Sequence, residues 1–176
     1  MELLDLYDYQ RRPTGKTMVR GDEHPEGMYP PVVHIVIFRP DGRMLIQQRQ
    51  SFKKGWPNYW DISVGGSAQT GEDSPTAAMR ETREELGLTV DLTGRRPTLT
   101  NCSGGAFDDI YILELLVELS ELRLQPEEVQ RAAFATQEEI FAMIDDGRFI
   151  PYLKSFIMLL FDLHRRGGMV DCSKKK

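Results

Sequence analysis

GSAQTGEDSPTAAMRETREELGL, residues Gly66 to Leu88, is the stretch from which the rest of the chain can be placed. It reads as a loop that enters a helix. Ser74 suits an N-cap, and Pro75 suits the first helical position, where its missing N–H is not needed. Thr76 to Leu86 continue without a breaker, and Gly87 fits the C′ stop. At about 100° per residue the helix has three sectors. Ala78, Met79, Thr82 and Leu86 form a core-facing side, Arg80 and Arg83 a second, and Glu81, Glu84 and Glu85 a third. Carboxylates three and four residues apart repel one another, so a cation must offset them. Hard oxygen donors select Mg²⁺ or Mn²⁺. Taken alone, a pair of adjacent glutamates is ordinarily a solvated acidic face.

The 176 residues suit one domain with a sizeable core, and 40% apolar with 28% charged residues is ordinary globular composition. A net charge of −5 argues against a general nucleic-acid or membrane surface. It does not argue against a nucleotide, because a bound divalent cation inverts the local field. Cys102 and Cys172 supply no disulfide framework, and a reducing, cytoplasmic setting is expected. The opening MELLDLYDYQ carries acids and lacks a signal peptide's apolar run. FIMLLF, Phe156 to Phe161, is too short to cross a bilayer.

Along the chain, residues 1–27 alternate through Leu3, Leu4, Leu6, Tyr7 and Tyr9, turn at Pro13–Thr14–Gly15 and return through Met18 and Val19. This predicts an N-terminal hairpin extension that covers the sheet or serves a dimer. Residues 28–170 form the expected single domain, and 171–176 a disordered basic tail. Val32–Phe38 and Met44–Gln48 read as strands around the turn Pro40–Asp41–Gly42. His34, alone within its strand, reads as a packed or hydrogen-bonded core residue. Asp61–Val64, Leu88–Leu92, Thr98–Cys102, Ile110–Leu119 and Ala132–Phe134 are the further expected strands. Thr136 opens a helix that Gly147 closes, and Pro151 opens a last amphipathic helix to about Arg166, whose His164 complements the helix dipole. The expected class is an α/β sandwich.

Over its full length Gly66–Leu88 resembles the Nudix signature, Gx5Ex7REUxEExGU with U a large aliphatic residue. Gly66, Glu72, Arg80, Glu81, Glu84, Glu85, Gly87 and Leu88 stand in register. Thr82 replaces the first aliphatic residue, and its methyl can still face the core. The resemblance implies an α/β/α sandwich with a mixed sheet and a loop–helix–loop signature motif. It also implies hydrolysis of a nucleoside diphosphate linked to another moiety, with Mg²⁺ or Mn²⁺ as cofactor and a small-molecule diphosphate as partner. Carried over, Glu81, Glu84 and Glu85 are catalytic, metal-facing carboxylates, and the Gly65 main-chain carbonyl is a further ligand. Gly66, Glu72, Arg80 and Gly87 are structural, and a homodimer is a family expectation. A general base is still required: Glu84, or one of the downstream acids Asp108, Asp109, Glu127 and Glu128, read as loop residues.

A narrower resemblance covers Arg49–Gln69, RQSFKKGWPNYWDISVGGSAQ, which is similar to type I isopentenyl-diphosphate isomerases. It implies that Arg49 and Lys53 contact a diphosphate. Those isomerases use a catalytic cysteine where this chain has Gly65, and a metal-binding histidine where it has Ser67. Glycine neither donates nor accepts a proton, so isomerisation is disfavoured. Among the aromatic residues, Trp56, Tyr59, Trp60 and Tyr111 are candidates to stack on a base or line a pocket, and Phe107 is read as an exposed stacking residue. A nucleotide-sensing module without turnover is the remaining alternative, and every signature carboxylate being present counts against it.

Overall fold

In the computed structural model, which describes residues 2–167, nine strands and three helices form in the order β1 (Leu3–Tyr7), β2 (Pro13–Val19), β3 (Pro31–Phe38), β4 (Met44–Arg49), β5 (Trp60–Asp61), β6 (Val64–Ser67), α1 (Ser74–Leu86), β7 (Leu99–Ser103), β8 (Ala106–Glu114), β9 (Val129–Ala135), α2 (Gln137–Asp145) and α3 (Lys154–Arg166). The expected basic tail, 171–176, and the end of the expected domain, 168–170, lie outside the described residues. β1 and β2 form a separate two-stranded sheet; the others form one sheet ordered β5-β4-β3-β8-β7, with β6 also on β3 and β9 also on β4. Most pairings are antiparallel, and Trp60 makes a parallel bridge to Phe149, so the protein has mixed α/β architecture.

The chain divides into two compact units. The first comprises 1–35, 64–84 and 88–111. In it, Leu4, Leu6 and Met18 pack together with Met28, which gives the hairpin an apolar cluster of its own. Its turn lies earlier than expected: the Arg11 N–H donates to the Asp8 carbonyl at 2.9 Å, and Pro13–Thr14–Gly15 begin β2. Arg11 itself takes φ 59°, unusual outside glycine. β6 pairs with β3 in the register His34 to Gly65 and Val33 to Gly66. Leu88–Leu92 is not a strand; Leu92 is buried, and its N–H donates to Met79 Sδ at 3.3 Å.

The second unit comprises 36–63, 85–87 and 112–176, of which the structure describes the part to 167. β4 is central here, with β5 and β9 on its two edges. The expected strand Asp61–Val64 is instead interrupted: β5 ends at Asp61 and β6 begins at Val64. The buried Ser63 between them accepts from the Ile37 N–H at 2.8 Å and donates to the Leu45 carbonyl at 2.5 Å. A hydroxyl therefore satisfies backbone that the ladder leaves unpaired. Thr136 caps α2, as the sequence predicts, and it does so through a capping box with Glu139. α3 begins at Lys154, later than Pro151, and buries Ile157, Leu160, Phe161 and Leu163. His164 stacks on Phe38 at 4.2 Å, and its Nε2 lies 2.8 Å from Glu114.

Candidate hydrolase site on helix α1

α1 starts one residue earlier than Ser74 capping would place it. The Asp73 carboxylate accepts from the Thr76 N–H at 3.0 Å, and its carbonyl accepts from Ala77 N–H, so Asp73 is the N-cap. Ser74 is released for another partner, the Tyr111 hydroxyl at 2.8 Å. Ala77, Ala78, Thr82 and Leu86 are fully buried, and Thr82 satisfies its hydroxyl by donating to the Ala78 carbonyl at 2.7 Å. The departure from the signature at Thr82 thus leaves no unmet polar group. Gly87 ends the helix with φ 70°, and a Cβ there would lie 2.7 Å from Arg123 Cβ. Both requirements call for glycine.

The acidic sector is not uniform. Glu81 and Glu85 are buried, whereas the Glu84 side chain is 47% exposed. Gly66 lies directly against Glu81: a Cβ on Gly66 would fall 2.6 Å from Glu81 Cγ and closer to its carboxyl. Gly65 faces the other way, and a Cβ there would meet His34 Nδ1 at 3.3 Å. Consecutive glycines in β6 therefore serve opposite faces of the strand.

One cation that offsets two of the carboxylates, Glu81 and Glu84, is Arg80, which reaches around from the neighbouring sector. Its Nη1 lies 2.9 Å from Glu84 Oε2 and 3.0 Å from Glu81 Oε1. Its Nε and Nη2 donate to the two oxygens of Glu72 at 2.8 and 2.9 Å, and Nη2 also donates to the Ser67 carbonyl at 3.0 Å. Glu72 in turn accepts from the Gln69 N–H at 2.9 Å. One planar guanidinium thus ties the signature loop to the helix, a task suited to its fixed fork of donors. Burial acts against the Glu72 charge, but Arg80 and the Gln69 N–H outweigh it and hold that carboxyl below its ordinary value. For Glu81 the balance reverses: burial dominates the attraction of Arg80 and pushes its carboxyl up. The Arg80–Glu81 approach lacks hydrogen-bond geometry, so Glu81 Oε1 is buried without a hydrogen bond among the described residues.

A buried carboxylate oxygen that has an ion-pair neighbour but no hydrogen bond among the described residues, beside a backbone that has no Cβ, fits a divalent cation. Among the described residues, however, no three His, Cys, Asp or Glu side chains converge into a ready-made ligand group. The Glu84 carboxylate is turned to Arg80, and the Glu85 carboxylate to Gln47, whose Nε2 donates to it at 2.8 Å.

Several other expectations change. Phe107 is buried, not exposed: its ring packs 5.5 Å from Tyr29, and the Arg11 guanidinium lies 5.3 Å above it. Asp108 and Asp109 are strand residues of β8 and not loop acids. Asp109 is fully buried, takes both Arg11 Nη donors and accepts from Thr100 at 2.6 Å. Burial alone would raise its carboxyl; Arg11, Ser74 and Thr100 together hold it below its ordinary value. Asp108 lies 3.3 Å from His34 Nε2. In the second unit, Lys53 Nζ donates to Glu128 at 2.6 Å, while Arg49 donates to the Gly55 carbonyl at 3.0 Å and lies 3.6 Å from Asp61. Glu127 is exposed. Tyr111 is buried, and Trp56, 46% exposed at φ 51°, stands edge-on to Tyr59 at 5.2 Å. Gln47 and Arg11 were not legible as site-forming residues: Gln47 reads as the polar half of a strand alternation, and Arg11 as a turn residue.

The NUDIX domain family model matches residues 28–153. A Nudix hydrolase of Listeria monocytogenes is 47% identical over 163 residues, covering 93% of this chain and 95% of its own length. The isopentenyl-diphosphate Delta-isomerase of Cutibacterium acnes is 32% identical over 126 residues, covering 65% of this chain and 62% of its own. Among solved structures, DR0079 from Deinococcus radiodurans is similar with a TM-score of 0.73 and 25% identity over 90% of this chain and 97% of its own. A MutT protein from Methanosarcina mazei shares the fold, with a TM-score of 0.60 and 19% identity over 83% of this chain and 99% of its own. With every position of the signature except Thr82 matched on a loop and helix of this geometry, and a relative matched over nearly the whole length of both chains, the protein belongs to the Nudix hydrolase family.

Proposed function

We propose that this chain is a Mg²⁺-dependent hydrolase that cleaves the diphosphate linkage of a nucleoside diphosphate derivative: a nucleotide sugar, an ADP-ribose-like compound, or a nucleoside di- or triphosphate. The observation that carries this reading is Glu81. A carboxylate is buried without a hydrogen bond on Oε1, on the same helix as Glu84 and Glu85 and against the bare Cα of Gly66. The residues that would hold the cation are Glu81, Glu84, Glu85 and the Gly65 main-chain carbonyl, and Mn²⁺ suits the same donors. Bound there, a divalent cation neutralises phosphate oxygens and makes water a stronger nucleophile at neutral pH.

The protein's own groups supply positioning and proton transfer. Arg80 keeps Glu81 and Glu84 beside one another despite their like charge, and Glu72 fixes Arg80. Glu84 is the favoured general base: it is paired with Arg80 as Asp108, Asp109 and Glu128 are paired with His34, Arg11 and Lys53, but it is the most exposed of the four, at 47%, and it stands on α1 beside Glu81 and Glu85. Glu127 is the remaining candidate. Diphosphate binding by Arg49 and Lys53 requires the incoming phosphate to displace Glu128 from Lys53 and to compete with Asp61 for Arg49. A homodimer is a further proposal, which light scattering tests. Cytoplasmic residence accords with the unpaired Cys102.

The test is a ³¹P NMR time course with Mg²⁺ and a panel of diphosphate compounds that includes isopentenyl diphosphate. The expected result is new phosphate resonances from a nucleoside diphosphate derivative, abolished by EDTA. An unchanged spectrum in the presence of bound metal would favour a sensor, and conversion of isopentenyl diphosphate to its dimethylallyl isomer would favour the isomerase reading despite Gly65 and Ser67.

A further inference from the structure

β4 contains a polar side chain that packing does not explain. Gln47 is 3% exposed in the middle of the strand, with Asp61 of β5 opposite it on one edge and Ala132 of β9 on the other. Its neighbours Met44, Leu45 and Ile46 are buried apolar residues, and a leucine would fill the position without polar atoms to satisfy. A buried primary amide carries two N–H donors and a carbonyl with two lone pairs. Here Nε2 donates to Glu85 Oε2 at 2.8 Å, while Oε1 is enclosed and accepts no hydrogen bond among the described residues. Turning the amide over would set its oxygen against a carboxylate oxygen, so the donor must face Glu85. An unmet buried acceptor costs about 1–3 kcal/mol, which marks Gln47 as a residue retained for something other than stability.

Glu85 is fixed twice. Its carbonyl accepts from the Gln125 N–H at 3.0 Å at the end of the helix, and its carboxylate is held by Gln47. We propose that Gln47 is a positioning residue of the hydrolase centre: its amide N–H sets the orientation in which Glu85 meets a divalent cation. This rests on the metal-dependent reading above. Hydrogen-bond partners behind a metal-binding carboxylate fix its direction, and their loss typically weakens metal binding about 10–100-fold.

The test uses Mn²⁺ alone as probe, by calorimetry on the full chain, together with steady-state kinetics on the substrate identified by ³¹P NMR. Gln47→Met keeps the volume and removes both donor and acceptor. It should raise the Mn²⁺ dissociation constant about 10–100-fold. kcat should fall with little change in KM, in a variant whose metal-free form still melts well above the assay temperature. Gln47→Asn keeps a buried amide but draws it back by one methylene, and should lose Mn²⁺ affinity in the same way. It also serves if the methionine variant does not fold. Wild-type Mn²⁺ affinity in a folded variant overturns the proposal, as does a loss of kcat that merely follows a loss of thermal stability. Glu85→Gln separates the two levels of inference: if it leaves Mn²⁺ binding and turnover intact, the metal-hydrolase reading fails; if it abolishes them while Gln47→Met and Gln47→Asn behave as wild type, only the role of Gln47 fails.

Discussion

Gly66→Ala perturbs the contact between β6 and α1 with a single methyl. An ideal Cβ at this position would lie 2.6 Å from Glu81 Cγ, about 0.8 Å short of the 3.4 Å at which ordinary contact begins, and closer still to the carboxyl group. Glu81 is buried and flanked by Arg80, so it must be displaced from a packed position. Overpacking of this kind costs about 1–3 kcal/mol. For a chain of this size each kcal/mol lowers Tm by about 2–4 °C, so the variant should melt roughly 2–12 °C below wild type. The carboxyl carbon and Oε1 lie closer still, at 2.1 Å, so a proposed metal-facing carboxylate must move by more than an ångström, an error that can reduce turnover about 10²-fold. Gly65→Ala is the internal control. Its Cβ would be tight only against a histidine ring nitrogen at 3.3 Å, which a small rotation relieves, its other neighbours lying at 3.8 Å or more, and its main-chain carbonyl is retained. Thermal melts and initial rates should therefore separate the two variants, with Gly65→Ala near wild type. Equal behaviour of the pair would refute the argument that Gly66 is glycine because of Glu81.

Arg80→Ala leaves Glu81 buried without its cation and Glu72 without its fork, and urea denaturation should show a loss of about 3–5 kcal/mol. Arg80→Lys should recover only part of that, because an ammonium cannot reproduce the planar donors. Glu81→Gln removes a buried charge whose desolvation outweighs the attraction of Arg80 and whose Oε1 has no hydrogen bond among the described residues; calorimetry of the metal-free protein should find it no less stable than wild type, while turnover is lost. Asp109 makes stability fall in acid. Its folded carboxyl lies below the ordinary value of 3.8, so the contribution is fully present above that value and is lost as pH falls through the lower folded one. The stability difference between wild type and an Arg11→Met/Asp109→Asn double variant, followed by chemical denaturation, should be flat above about pH 5 and shrink below 3.8.

What the sequence made legible were features whose cause is local. The Pro40–Asp41–Gly42 turn, the Thr136 helix cap and the stop at Gly87 each depend on a few adjacent residues, and each forms as expected. Features that depend on remote partners were not legible. Asp109 follows two glycines and another acid closely enough to read as a loop residue. It is a buried strand residue because Arg11, 98 positions away, supplies its cation. Phe107, two residues before it, reads as exposed for the same reason, since the Arg11 that lies over its ring belongs to the hairpin at the start of the sequence. The run Leu88–Leu92 has a strand's composition, but its buried leucine bonds to a methionine sulfur and not to a ladder. At the site, the order of charges along α1 predicted that a cation must lie among the glutamates. That Arg80 is one such cation follows from a side chain long enough to leave its own sector, which residue spacing alone does not convey.

The central claim is that the α1 carboxylates carry metal-dependent cleavage of a diphosphate. Its most direct test is the Mg²⁺-dependent kcat of Glu84→Gln and Glu85→Gln on the substrate identified by ³¹P NMR, each variant first shown to be folded by its melting curve. The account predicts that both lose turnover by orders of magnitude while remaining folded. Near-wild-type turnover in both would contradict it.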